Sequence, residues 1–103
     1  MPMFVAIYSY SDDADTRDRV RPDHRAYLGT LVDLGRLVLA GGFAPDDPPG
    51  AMLIFDAPDI DAVREIVSSD PFSTAGVLMS ADIRSWTPVL GASLDALTAP
   101  AEL

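Results

Sequence analysis

Midway along the chain, Pro45-Asp46-Asp47-Pro48-Pro49-Gly50 separates two runs of strand-like residues. Three prolines and a closing glycine within six residues exclude both helix and sheet ladder, so this stretch reads as a hairpin loop. Its flanks, Arg36 to Ala44 and Ala51 to Ala57, are then antiparallel strands, with Leu37 and Leu39 on the opposite side from Val38 and Ala40. Outside the hairpin each half carries one helix and one further strand. Met3 to Tyr10 alternates, with Phe4, Ala6, Tyr8 and Tyr10 on one face and Val5 and Ile7 on the other. Ser11 to Asp18 reads as polar and turn-rich. Pro22 suits a first helical position, Leu28, Leu31 and Val32 follow helical spacing, and Gly35 fits the residue that ends the helix. Asp59 caps a second helix whose buried stripe is Ile60, Val63, Ile66 and Val67; Asp70-Pro71 stops it, because a residue before proline avoids the helical region. Val77 to Trp86 is the fourth strand. Residues 1–89 are expected to form one domain and residues 90–103 a tail, with a short helix around Leu94 and Leu97.

The order βαββαβ is the ferredoxin-like α+β unit, a four-stranded antiparallel sheet with two helices on one face. The helices leave the other face open, yet the first three strands are apolar at both phases: Val5 and Ile7 against Phe4 and Tyr8, Leu53 and Phe55 against Met52 and Ile54. A sheet apolar on both sides needs a second cover. The same face of another copy supplies it, so a two-fold homodimer through the sheet face is expected.

Composition removes several function classes. The 103 residues contain no cysteine and no lysine, so thiolate chemistry, disulfides and lysine Schiff bases are excluded. One histidine without cysteine makes zinc unexpected. Sixteen acidic residues against seven arginines give a net charge of −9, which repels phosphate backbones and anionic membranes; no nucleic-acid or membrane partner is expected. No apolar window is long enough to span a bilayer and the N-terminus lacks a basic leader, which points to the cytoplasm. The all-arginine basic set suggests a GC-rich bacterial genome.

Chemistry then falls to His24. The topology brings the start of the first helix and the finish of the second to one end of the sheet, which puts His24 and Asp70 on one side of the molecule. A histidine in a first turn faces the positive end of the helix dipole, and an aspartate closing a helix faces the negative end. Pairing would offset both penalties, fix the imidazole tautomer and leave one ring nitrogen free to move a proton. The residues alone favour the plainer reading, a surface histidine and a solvated helix stop. Arg21 offers a planar fork for an anionic group or a salt bridge to a neighbouring aspartate. Tyr8, Tyr10 and Phe72 suit an aromatic-binding pocket, and the tyrosines equally suit interface packing. Asp12-Asp13-Ala14-Asp15 lacks the glycine and closing glutamate of a calcium loop and reads as a solvated turn.

Arg21-Pro22-Asp23-His24 with Leu28, Leu31, Gly35-Arg36-Leu37 and Ala40-Gly41 resembles the amino half of a YCII-related domain. Asp70-Pro71-Phe72 with Gly76-Val77, Ile83 and Trp86 resembles its carboxyl half, so the likeness runs from about Phe4 to Val89. The resemblance implies a dimeric α+β barrel and a catalytic His24–Asp70 dyad, with Arg21, Tyr8 and Phe72 as candidate substrate-binding residues. It implies a lyase (dehydrohalogenase) or isomerase acting without cofactor or metal on a small hydroxylated aromatic or lactone. The alternative is a non-catalytic small-ligand-binding or accessory dimer. The short, proline-rich hairpin departs from the family pattern at a loop expected to line the pocket.

Overall fold

A computed structural model describes residues 2–95. It contains β1 (Met3–Tyr10), α1 (Ala14–Asp33), β2 (Leu37–Gly42), β3 (Gly50–Asp56), α2 (Ile60–Ser68), α3 (Pro71–Thr74) and β4 (Leu78–Trp86). The sheet order is β2-β3-β1-β4 and every neighbouring pair is antiparallel. This is the ferredoxin-like α+β arrangement expected from the sequence. The helix-side face buries Phe4, Ala6, Tyr8, Leu53 and Phe55 against Leu31 of α1 and Val63 and Val67 of α2. No helix among the described residues is long and apolar enough to cross a membrane.

The first helix departs from the expectation at its start. It begins at Ala14, not Pro22, and runs for 20 residues. Asp13 is its N-cap: the carboxylate accepts the Thr16 N–H at 3.1 Å and the Thr16 hydroxyl at 2.6 Å. The acidic run 12–15 is therefore a cap, not a turn between elements. Pro22 sits inside the helix. It cannot donate to the carbonyl of Asp18, but both residues lie on the exposed side, where solvent can take that acceptor. At the other end Gly35 behaves as read: its φ is +73°, its N–H donates to the Val32 carbonyl, and Arg36 N–H donates to that of Leu31. Of the expected stripe, Leu31 is buried and Leu28 packs on the core, whereas Val32 is 55% exposed.

A bulge at Val38 corrects the second strand. Leu37 pairs with Phe55 and Leu39 with Ile54, so the extra residue moves Leu39 to the open face while Leu37 stays on the helix side. Gly50 closes the hairpin where it meets β1; a Cβ there would collide with the Tyr8 carbonyl oxygen and crowd the Phe43 ring. The open face carries Val5, Ile7, Leu39, Met52 and Ile54 across three strands, and turns polar on β4 at Ser80, Asp82 and Arg84. The short helix expected around Leu94 and Leu97 reaches outside the described residues.

Candidate active site

His24 is the eleventh residue of α1, on the stripe that continues through Leu28 and Leu31 into the core. Asp70 follows Ser69, the C-cap of α2, in an extended conformation that suits a residue before proline. It is the N-cap of α3, with Pro71 in the first turn, and its Oδ1 accepts the Phe72 N–H at 2.9 Å. Both electrostatic settings expected from the sequence are thus corrected. His24 lies mid-helix, away from the dipole end, and Asp70 opens a short helix, where a carboxylate is favoured.

The structure nevertheless brings the two side chains together. His24 Nδ1 lies 2.7 Å from Asp70 Oδ1 and 2.9 Å from Oδ2. A carboxylate only accepts, so the bond assigns the ring proton to Nδ1 and leaves Nε2 with the lone pair. Asp70 is 1% exposed, and a carboxylate buried so fully would cost several kcal/mol without partners; the imidazole and the Phe72 amide supply them. Phe72 also fixes the plane of the imidazole, stacking on it at 3.8 Å between centroids and 6° between planes. Tyr10 meets Phe72 edge-on at 5.2 Å, and Tyr8 meets Tyr10 at 6.3 Å.

His24, Phe72 and Tyr10 line one side of a cleft of about 560 Å³, closed on the other by the hairpin from Phe43 to Gly50. Asp70 stands behind the imidazole and does not line it. Burial pushes the Tyr10 phenol up to about 12, with the Asp70 charge adding and Arg21 and Arg17 partly offsetting. Burial, then Asp70, raises Tyr8 further, and the same two causes raise Tyr27. One buried carboxylate is therefore felt at three phenols, all of which stay neutral at ordinary pH.

The other expected binding residues divide. Phe72 and Arg21 reach the cleft, and Arg21 pairs with Asp18 at 2.7 Å, the salt bridge to a neighbouring aspartate that the sequence allowed. Tyr8 does not line the cleft. It is 1% exposed in the core beneath Tyr10, and its hydroxyl has no hydrogen-bond partner among the described residues. Arg17 and Arg25 also line the cleft and were missed. Their spacing with Arg21, one every four residues, is a helical signal, but it is visible only if the helix is allowed to begin before Arg17.

With this geometry in view, a family model for the YCII-related domain matches residues 3–87. Protein YciI of Escherichia coli O6:H1 (strain CFT073) is 30% identical over 97 residues, covering 84% of this chain and 99% of that protein. Among solved structures, a 5-chloro-2-hydroxyhydroquinone dehydrochlorinase from Burkholderia phenoliruptrix AC1100, in complex with 2,5-dihydroxybenzoquinone, superposes with a TM-score of 0.71. It is 25% identical and covers 82% of this chain and 93% of its own. SnoaB, a cofactor-independent oxygenase from Streptomyces nogalater, superposes at 0.53 with 17% identity over 87% of this chain and 94% of its own, a likeness of fold.

Proposed function

Because the chain belongs to the YCII-related domain family, we propose that it is a cofactor-independent acid–base enzyme of the dehydrohalogenase or isomerase type, acting on a small hydroxylated aromatic or lactone. The observation that supports this reading is the buried Asp70 carboxylate 2.7 Å from the Nδ1 of an imidazole that lines a cleft. Asp70 holds the ring orientation and the tautomer, and it stabilises the imidazolium that forms when Nε2 takes a proton. Phe72 keeps the imidazole plane fixed, and Arg21 and Phe72 hold the substrate. Tyr8 supports Tyr10 from below and does not touch the ligand.

On a halogenated hydroxyquinol the step balances without an oxidant. Nε2 accepts the proton of the hydroxyl beside the halogen-bearing carbon and returns it to that carbon, giving the keto form and a free Nε2 for the second hydroxyl proton. Loss of a second hydroxyl proton then expels halide as an anion. The net change is loss of hydrogen halide, and the departing halide carries the electron pair that leaves a quinone. The similarity to a dehydrochlorinase seen with a dihydroxybenzoquinone supports a ring of this kind. The open face supports a homodimer as the working unit, because Leu39 and Met52, beside the half-buried Val5 and Ile7, leave exposed apolar surface there among the described residues.

The test is halide release from a chlorinated hydroxyquinol. His24→Ala should lower turnover by about 10²- to 10⁴-fold, the usual contribution of a positioned proton carrier. Full activity in that variant would refute the mechanism. Ring binding without turnover by the unaltered protein would favour the accessory, ligand-binding role instead.

A further inference from the structure

Three of the chain's seven arginines line this one cleft, in a protein of net charge −9. Arg17, Arg21 and Arg25 lie one helical turn apart along α1, and His24 sits within the same stripe. Their partners differ. Arg21 is paired with Asp18; Arg17 donates to the Ser11 carbonyl at 2.8 Å, which leaves its charge unneutralised; Arg25 has no ion pair or hydrogen-bond partner among the described residues. Arg21 and Arg17 both draw the Tyr10 phenol down against its burial, so their field reaches the cleft floor.

Resting on the reading of this cleft as an aromatic-ring site, the geometry points to a ligand ring that carries a carboxylate, held by Arg17 and Arg25 while a ring hydroxyl meets His24. Guanidinium forks match the two oxygens of a carboxylate, and such charge-assisted pairs are about twice as strong as neutral ones. The charge balance disfavours a dianion. Asp18 offsets Arg21, Asp47 lines the cleft from the hairpin and the Asp70 carboxylate lies behind the imidazole, so three guanidiniums meet three carboxylates and leave no surplus of positive charge for a second anionic oxygen. A phosphate dianion would meet Asp47 with its second charge uncompensated. Phe72 and Tyr10 supply the apolar surface for the ring, and the arginines and His24 present their polar groups to it from the same helix.

The experiment is calorimetric titration with a dihydroxybenzoate, the dihydroxybenzamide of the same substitution, and unsubstituted hydroquinone. The benzoate should bind about tenfold or more tightly than the benzamide, the scale of one hydrogen bond to a charged group. That preference should shrink as salt rises and fall below about threefold in R17Q/R25Q. It should persist in His24→Gln, because that change removes the proton carrier and not the anion site. Circular dichroism melts establish that each variant is folded; both arginines lie outside the buried core. Equal binding of benzoate and benzamide, or a preference that survives R17Q/R25Q, overturns this inference while the aromatic site stands. Failure of all three rings to bind at millimolar concentration overturns both.

Discussion

Asp70 is the residue whose removal reports most directly on how the site is built. Its carboxylate makes two separable contributions: it caps α3 through the Phe72 N–H at 2.9 Å, and it bonds His24 Nδ1 at 2.7 Å. An N-cap is worth about 1 kcal/mol, and a hydrogen bond to a charged group about 1.5–3 kcal/mol. Solvent screening does not reduce the second term here, because both side chains are buried. Asp70→Ala loses both and should destabilise the fold by about 3 kcal/mol, within the total stability of a domain this size. Asp70→Asn keeps an oxygen for the Phe72 amide, since asparagine caps as well as aspartate, and should lose only about 1–2 kcal/mol. Urea unfolding with an unchanged slope is the assay, so that the midpoint shift reads stability alone. A cycle with His24→Ala should give a coupling of at least ~1 kcal/mol, whereas non-interacting sites add to within about 0.5 kcal/mol. Equal losses for Ala and Asn would refute the cap, and a coupling inside the additive range would refute the pair.

Two further outcomes follow from the same structure. The Tyr10 phenol is raised to about 12 in the folded state against an ordinary value of 10.0, so between these values the unfolded chain holds fewer protons and stability must fall as pH rises. Its contribution is intact below pH 10; Tyr10→Phe should lessen the alkaline loss in melts recorded from pH 9 to 12, the remainder belonging to Tyr8 and Tyr27, and an unchanged slope would count against the assignment. On the open face, Leu39 is 62% and Met52 41% exposed, and sedimentation at micromolar concentration should find a homodimer that L39D/M52E converts to folded monomer. A monomer in the unaltered protein would remove the sheet-face pairing.

The element order was legible because its punctuation is local. Gly35 needs a positive φ, Asp59 accepts from Ala62 at 2.8 Å, and the proline-rich hairpin admits no alternative. The helix start was not, because Pro22 gives a strong local signal that tertiary context overrides: His24, Tyr27, Leu28 and Leu31 face inward together, and this holds the helix through the proline. The Val38 bulge was hidden for another reason. Strict alternation and alternation with one inserted residue are equally apolar in Leu37-Val38-Leu39-Ala40, so only the pairing with β3 decides which leucine faces the helices. Arg17 and Arg25 were lost as a consequence of the first error, since residues assigned to a loop have no helical face to share.

That the pair survived a misplaced helix start has a physical explanation. The meeting of His24 and Asp70 depends on where α1 crosses the α2–α3 junction, and the crossing is set by the sheet connections and by the stripe from His24 to Leu31. It does not depend on how many turns precede His24. The dipole argument depended on those turns and failed with them. What acts on the imidazole is therefore local: the carboxylate on Nδ1, the Phe72 ring against its face, and the guanidiniums on the same stripe. A change at the Asp13 cap, eleven residues before His24 at the start of α1, should consequently weaken the helix without altering the geometry at Nε2. Residues at the α2–α3 junction hold the carboxylate itself, and it is there that distant packing can reach the chemistry.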